Sequence, residues 1–125
     1  KNIRLTNWKV ILTILLEVLE VTNMKQYDVI VSDKVRKALG EIIAYIASDS
    51  IANAVSVKKE LIKAIRSLSV LPERAPFLEG EFIPYNKYRK LIILKRFMVI
   101  YQFKNEVVYV DYVLDSRQDY QWLIK

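Results

Sequence analysis

The residues best suited to chemistry lie between Tyr88 and Tyr120, in the stretch YRKLIILKRFMVIYQFKNEVVYVDYVLDSRQDY. Between Phe82 and Asn105 there are six cations (Lys87, Arg89, Lys90, Lys95, Arg96 and Lys104) and no carboxylate. Phe82, Tyr85, Tyr88, Phe97, Tyr101 and Phe103 are interleaved with them. Cations neutralise phosphates and flat rings stack on bases, so this pattern suits a nucleic acid, with Lys87, Lys90, Lys95 and Arg96 as its contacts. The competing reading is an ordinary strand hairpin whose Lys and Arg are solvated edge residues. The chain has no histidine and no cysteine. Acid–base work therefore falls to Lys, Arg, Tyr, Asp or Glu, and thiol nucleophiles and thiolate metal sites are excluded. No spacing suggests a metal site, and no cofactor is expected.

These residues need a scaffold, and 125 residues are enough for one domain with a real core. The chain is 53% hydrophobic with two glycines and three prolines, which argues against disorder or a linker. Its formal charge of +6 favours an anionic partner. Residues 1–23 stand apart. Trp8 to Val21 is strongly apolar but carries Glu17 and Glu20, and is too short and too charged to span a membrane. No small-residue cleavage site follows it, so it is not expected to be a secretory signal. Leu5, Trp8, Leu12, Leu15, Leu16 and Leu19 recur at helical spacing, with Ile11, Ile14, Val18 and Val21 widening the stripe. Residues 1–23 are expected to form a helical extension, with Met24 opening a domain of residues 24–125. The extension packs on that domain, pairs with a second copy as a homodimer, or fills a groove meant for a partner helix. Masking of the functional surface in cis is one consequence of such packing.

Within residues 24–125, Gln26 to Ser32 alternates and is β-branched, and predicts a strand. Ser32 or Asp33 caps a helix buried through Val35, Leu39, Ile42, Ile43 and Ile46, in which Gly40 is expected to allow close packing. Ser48-Asp49-Ser50 breaks it. A second helix to about Val70 turns Ile51, Ala54, Val57, Leu61, Ile65 and Leu68 inward, giving an antiparallel helical hairpin. Pro72, Pro76 and Pro84 mark an extended loop. Three strands follow. A turn at Lys95-Arg96 pairs Ile93 with Met98 and Arg89 with Gln102, and a turn at Lys104-Asn105 pairs Ile100 with Tyr109 and Met98 with Asp111. That register puts Arg89, Gln102, Tyr109 and Asp111 on an open face. Ile92, Leu94, Phe97, Val99, Tyr101, Phe103, Val108, Val110, Tyr112 and Leu114 then lie under the helices. A one-residue slip at a turn reverses the assignment of a strand.

The order strand, helical hairpin, three-stranded meander and short tail resembles the RelE/ParE superfamily of toxins from type II toxin–antitoxin pairs. The resemblance runs from Tyr27 to about Ile124. It rests on Leu71-Pro72-Glu73-Arg74 and Pro76, on Tyr88-Arg89-Lys90, on the aromatic-x-V-x-Y strand Phe97 to Tyr101, and on the tail Leu114-Asp115-Ser116-Arg117-Gln118-Asp119-Tyr120. It implies an α+β fold, with an N-terminal strand and an antiparallel helical hairpin packed on a small antiparallel sheet that ends in the meander.

The resemblance also implies two activities. RelE-like members cleave mRNA in the ribosomal A site without metal, by promoting attack of a ribose 2′-hydroxyl on the adjacent phosphate. ParE-like members inhibit DNA gyrase. Both are silenced by a cognate antitoxin that covers the basic surface. RelE-like enzymes carry an arginine three positions before the strand tyrosine, where this chain has Met98, and their tail histidine is replaced by Asp119. By resemblance Arg89, Arg117 and Tyr120 take the catalytic positions. Arg89 substitutes across the open face, Arg117 fits the tail arginine and Tyr120 the final tyrosine. An mRNA endonuclease is the first expectation. A gyrase-binding toxin, or an inert toxin that mainly binds its antitoxin, is the alternative. The partners implied are the antitoxin and either ribosome and mRNA or gyrase, in the cytoplasm and not at a membrane.

Overall fold

The computed structural model describes residues 10–14, 17 and 25–115. Residues 10–14 and 17 are helical. The rest runs β1 (Asp28–Val31), α1 (Asp33–Ala47), α2 (Ile51–Ser67), β2 (Arg89–Ile93), β3 (Phe97–Lys104) and β4 (Val107–Asp115). The four strands form one sheet in the order β1-β4-β3-β2. The sheet is mixed, because β1 lies parallel to β4 while the other pairs are antiparallel. A parallel neighbour needs a crossover, and the helical hairpin is part of it. Among the described residues no helix is long and apolar enough to cross a membrane.

The helices start where the sequence predicts. Ser32 Oγ accepts the Val35 amide and Ser50 Oγ accepts the Asn53 amide, each at 3.1 Å, so each helix begins on a serine cap. The second helix stops at Ser67 rather than Val70. There the Arg74 guanidinium donates at 3.0 Å to the carbonyls of Ser67 and Val70, two acceptors that a helix end leaves unpaired. Val35 and Ile46 of α1 and Ala54, Val57, Leu61 and Ile65 of α2 are buried with Phe97, Val99, Tyr101, Val108, Val110 and Val113 of the sheet. Two expectations fail. Ile51, in the first turn of α2, is 74% exposed because the hairpin has not yet closed on anything at that position. Gly40 supports no close packing, since a Cβ placed there meets nothing within 4 Å.

The meander register also differs. Ile93 pairs with Phe97, Leu91 with Val99 and Arg89 with Tyr101, one residue off the expected alignment. The turn falls on Leu94 and Lys95, both left-handed at φ 55°, and Arg96 returns its amide to the Ile93 carbonyl at 3.1 Å. The slip turns Leu91 and Ile93 toward the helices and leaves Ile92 and Leu94 about half exposed. The next turn falls on Asn105 and Glu106 (φ 52° and 61°) and pairs Lys104 with Val107. This shift is by an even number, so Gln102 and Tyr109 keep their expected face. A bulge at Ile100/Tyr101 then flips the end of β4, so that Val113 faces the helices while Tyr112 and Leu114 face away.

The face away from the helices is not open. Leu78, Ile83 and Tyr88 of the long loop close over Met98 and Ile100 to form a second core, with Tyr112 and Leu114 packed beside it. The left-handed turn gives a test. A β-carbon in that conformation costs roughly 1–2 kcal/mol, so Lys95→Gly is expected to stabilise the fold by about 1 kcal/mol. Urea unfolding should show a higher midpoint at unchanged slope.

Candidate functional site

The sequence places Arg89 on the open face, but the register puts it on the helix side at the edge of the sheet. Its side chain is only 15% exposed. It donates to the main-chain oxygens of Ala75 at 2.7 Å and Glu73 at 3.1 Å, sits 3.7 Å from the Glu73 carboxylate, and lies over the Phe77 ring at 4.0 Å. The donors that would grip a phosphate are thus committed to the loop that follows α2. The same loop joins the edge of β2 through the Lys90 amide to the Pro76 carbonyl and the Leu78 amide to the Tyr88 carbonyl. One strand inward, the buried Tyr101 hydroxyl donates to the Pro72 carbonyl at 2.7 Å.

Three of the quoted motifs therefore meet at one place. Pro72, Glu73 and Arg74, then Arg89, then Tyr101 are mutual supports of loop, helix end and strand. Burial pushes the Tyr101 phenol above its ordinary value, against the pull of Arg74 and Arg89. Tyr88 is also pushed up, first by burial and then by Tyr112 and Asp111. Met98, at the position of the expected catalytic arginine, is 4% exposed beneath the loop.

The other predicted contacts do not converge. Lys87 is exposed beside the Tyr88 ring, 5.2 Å from its centroid. Lys90 is half-buried on the sheet face opposite to Arg89. Lys95 is exposed at the far turn, and Arg96 beside it is paired with Asp115 at 3.2 Å and lies over Phe97. Four rises of β2 separate Arg89 from Ile93, about 13 Å, so the two ends of the strand cannot serve one phosphate. Arg117 and Tyr120 lie outside the described residues. The structure adds one cation that the sequence reading missed. Lys34, in the first turn of α1, sits 3.7 Å over the Tyr112 ring, which in turn meets Tyr88 edge-on. No pattern in the sequence signals this, because it depends on the bulge that flips Tyr112. On the same face Gln102 donates to Asp111 at 2.7 Å.

A family profile described as the ParE toxin of the type II toxin–antitoxin system parDE matches residues 29–120. The chain belongs to the ParE toxin family. Its fold is similar to a solved structure titled "Chromosomal ParDE TA system from P. aeruginosa", with a TM-score of 0.60 at 13% identity over 73% of this chain and 97% of that one. No protein of curated function matches the sequence. This ParE-family protein is the toxin component of a type II toxin–antitoxin pair, and the family implies a cognate antitoxin as its partner.

Two outcomes follow for the cluster around Arg89. Arg89→Ala in the ParE-family toxin removes two carbonyl bonds to a charged donor and should cost about 2 kcal/mol of stability in urea unfolding. Arg89→Lys should recover only part of it, because an ammonium lacks the planar face that the guanidinium lays on the Phe77 ring. The folded state also holds Tyr88 and Tyr101 protonated to higher pH than the unfolded chain does. Their contribution is therefore intact below the ordinary tyrosine value of about 10 and is lost as pH rises beyond it. Stability measured from about pH 8 to about pH 12 should decline above ~10, and Tyr101→Phe should flatten that decline.

Proposed function

We propose that this ParE-family toxin acts without cleaving RNA, by binding DNA gyrase and arresting its cycle. The observation that carries the reading is the commitment of Arg89 to the Glu73 and Ala75 carbonyls, together with the burial of Met98 under the loop. Metal-independent RNA cleavage needs a cation at the scissile phosphate and a proton donor for the leaving oxygen. Among the described residues, the position of the expected arginine is occupied by a buried thioether, and the substitute arginine is held elsewhere. Of the three predicted catalytic positions, this leaves Arg117 and Tyr120 to an endonuclease. Inhibition by binding has no such requirement, because a binding toxin needs only a complementary surface.

The test uses purified full-length toxin in two reactions. Supercoiling by gyrase should be inhibited in proportion to added toxin, while a translation reaction should show no cuts in the ribosomal A site. A-site cuts, lost in Arg117→Ala, with gyrase unaffected would overturn the proposal in favour of an mRNA endonuclease. Indifference in both reactions would also overturn it and leave antitoxin binding as the main activity.

A further inference from the structure

The loop that closes the second core also carries groups that the core does not use. Leu78, Ile83 and Tyr88 are buried against the sheet, whereas Phe82 and Tyr85 between them stand 67% and 88% exposed. Among the described residues neither of these two rings meets another ring or a cation. Residues 78–86, LEGEFIPYN, hold the carboxylates of Glu79 and Glu81 and no cation, in a chain with a formal charge of +6. Both carboxylates are exposed, and among the described residues neither is ion-paired. The rings have faces that could stack on bases, but the acids beside them repel phosphate, so a nucleic acid is a poor ligand here.

The loop holds the two rings on a firm mount. Its ends are joined by the Leu78 amide, which donates to the Tyr88 carbonyl at 2.7 Å, and the Ile83 amide closes a turn on the Gly80 carbonyl at 3.1 Å. Ile83 pins the middle of the loop to Met98 and Ile100, and Pro84 fixes its own backbone before Tyr85. Asn86 takes the left-handed conformation at φ 53°, which asparagine adopts readily. Side chains presented from a loop already ordered lose less entropy on binding.

Exposed aromatics on a rigid base are the residues that anchor protein interfaces, where they fill apolar hollows while charged groups set the rim. Given the proposed action on gyrase, on which this step rests, we propose that residues 78–86 are the part of the toxin that grips the enzyme. Phe82 and Tyr85 seat in an apolar hollow of the gyrase protein, and Glu79 and Glu81 meet cations around it. Charge selects this partner, because an enzyme that works on DNA must present cations to phosphate. The α2 face of a second copy, with Val55 and Ile62 among Lys58, Lys59, Lys63 and Arg66, has the same sign. A loop-to-helix contact between copies is head-to-tail and does not close as a pair, which favours the different protein.

The experiment measures binding of the purified full-length toxin to immobilised gyrase without DNA, beside inhibition of supercoiling. Phe82→Ala and Tyr85→Ala should each weaken binding about tenfold or more, with a matching rise in the concentration that halves supercoiling. Glu79→Lys with Glu81→Lys should weaken both in the same direction, and Tyr45→Ala, which removes an exposed ring from α1, should change neither. Urea midpoints equal to that of the parent protein confirm that the variants fold. Loop variants that bind and inhibit as well as the parent would overturn the assignment of the loop and leave gyrase as the target. A parent protein that does not touch gyrase would remove both. Self-association in sedimentation that Phe82→Ala abolishes, with gyrase binding unchanged, would overturn it in favour of a second copy.

Discussion

The guanidinium of Arg89 is the constraint on which this structure turns. It is held by two carbonyls of the loop after α2, backed by the Phe77 ring and neighboured by the Glu73 carboxylate. A loop of some twenty residues has little reason to follow the sheet without such an anchor, since closing it costs entropy and its prolines cannot supply strand donors. The Tyr101 hydroxyl on Pro72 and the Arg74 cap on α2 complete the attachment from the strand and helix sides. With the loop fixed at its start, Leu78, Ile83 and Tyr88 are carried over the far face of the sheet, where they bury Met98 and Ile100.

The consequence for function is a redistribution of the cations. A hairpin rich in Lys and Arg invites the picture of one basic surface, but the side chains go to separate places. Arg89 is internal to the loop attachment, Arg96 closes on Asp115, and Lys87 and Lys95 stand at opposite ends of β2. Burial of a charged group is tolerated only where its donors are met, and Arg89 satisfies that condition with main-chain oxygens rather than with a ligand. Arg89, which in the sequence looks like part of a catalytic signature, here holds a loop to a sheet.

The sheet itself shows how little displacement separates two functional readings. One residue of slip between β2 and β3 exchanges the faces of Arg89 and Lys90, and one extra residue at the bulge carries Tyr112 to the far face and Val113 to the helix face. Each change is smaller than the uncertainty with which turn residues can be placed from sequence. Here left-handed Leu94 and Lys95 make the first turn, at a cost that Gly or Asn would not incur, so composition does not point to it. Asn105 does favour that conformation, and the second turn begins on it.

Much was nonetheless determined by the sequence alone. The serine caps, the buried stripes of Val35 to Ile46 and Ala54 to Leu68, the strand order after the loop and the membership suggested by Pro72, Arg89, Tyr101 and their neighbours were all legible. They depend on local periodicity and capping, which act within a few residues. Tertiary structure decided the register of the meander, the bulge, the closure of Leu78 to Tyr88 over the second face and the internal fate of Arg89. These depend on packing between segments far apart in the chain, where a displacement of one residue leaves the local pattern intact and reverses which side chains are exposed.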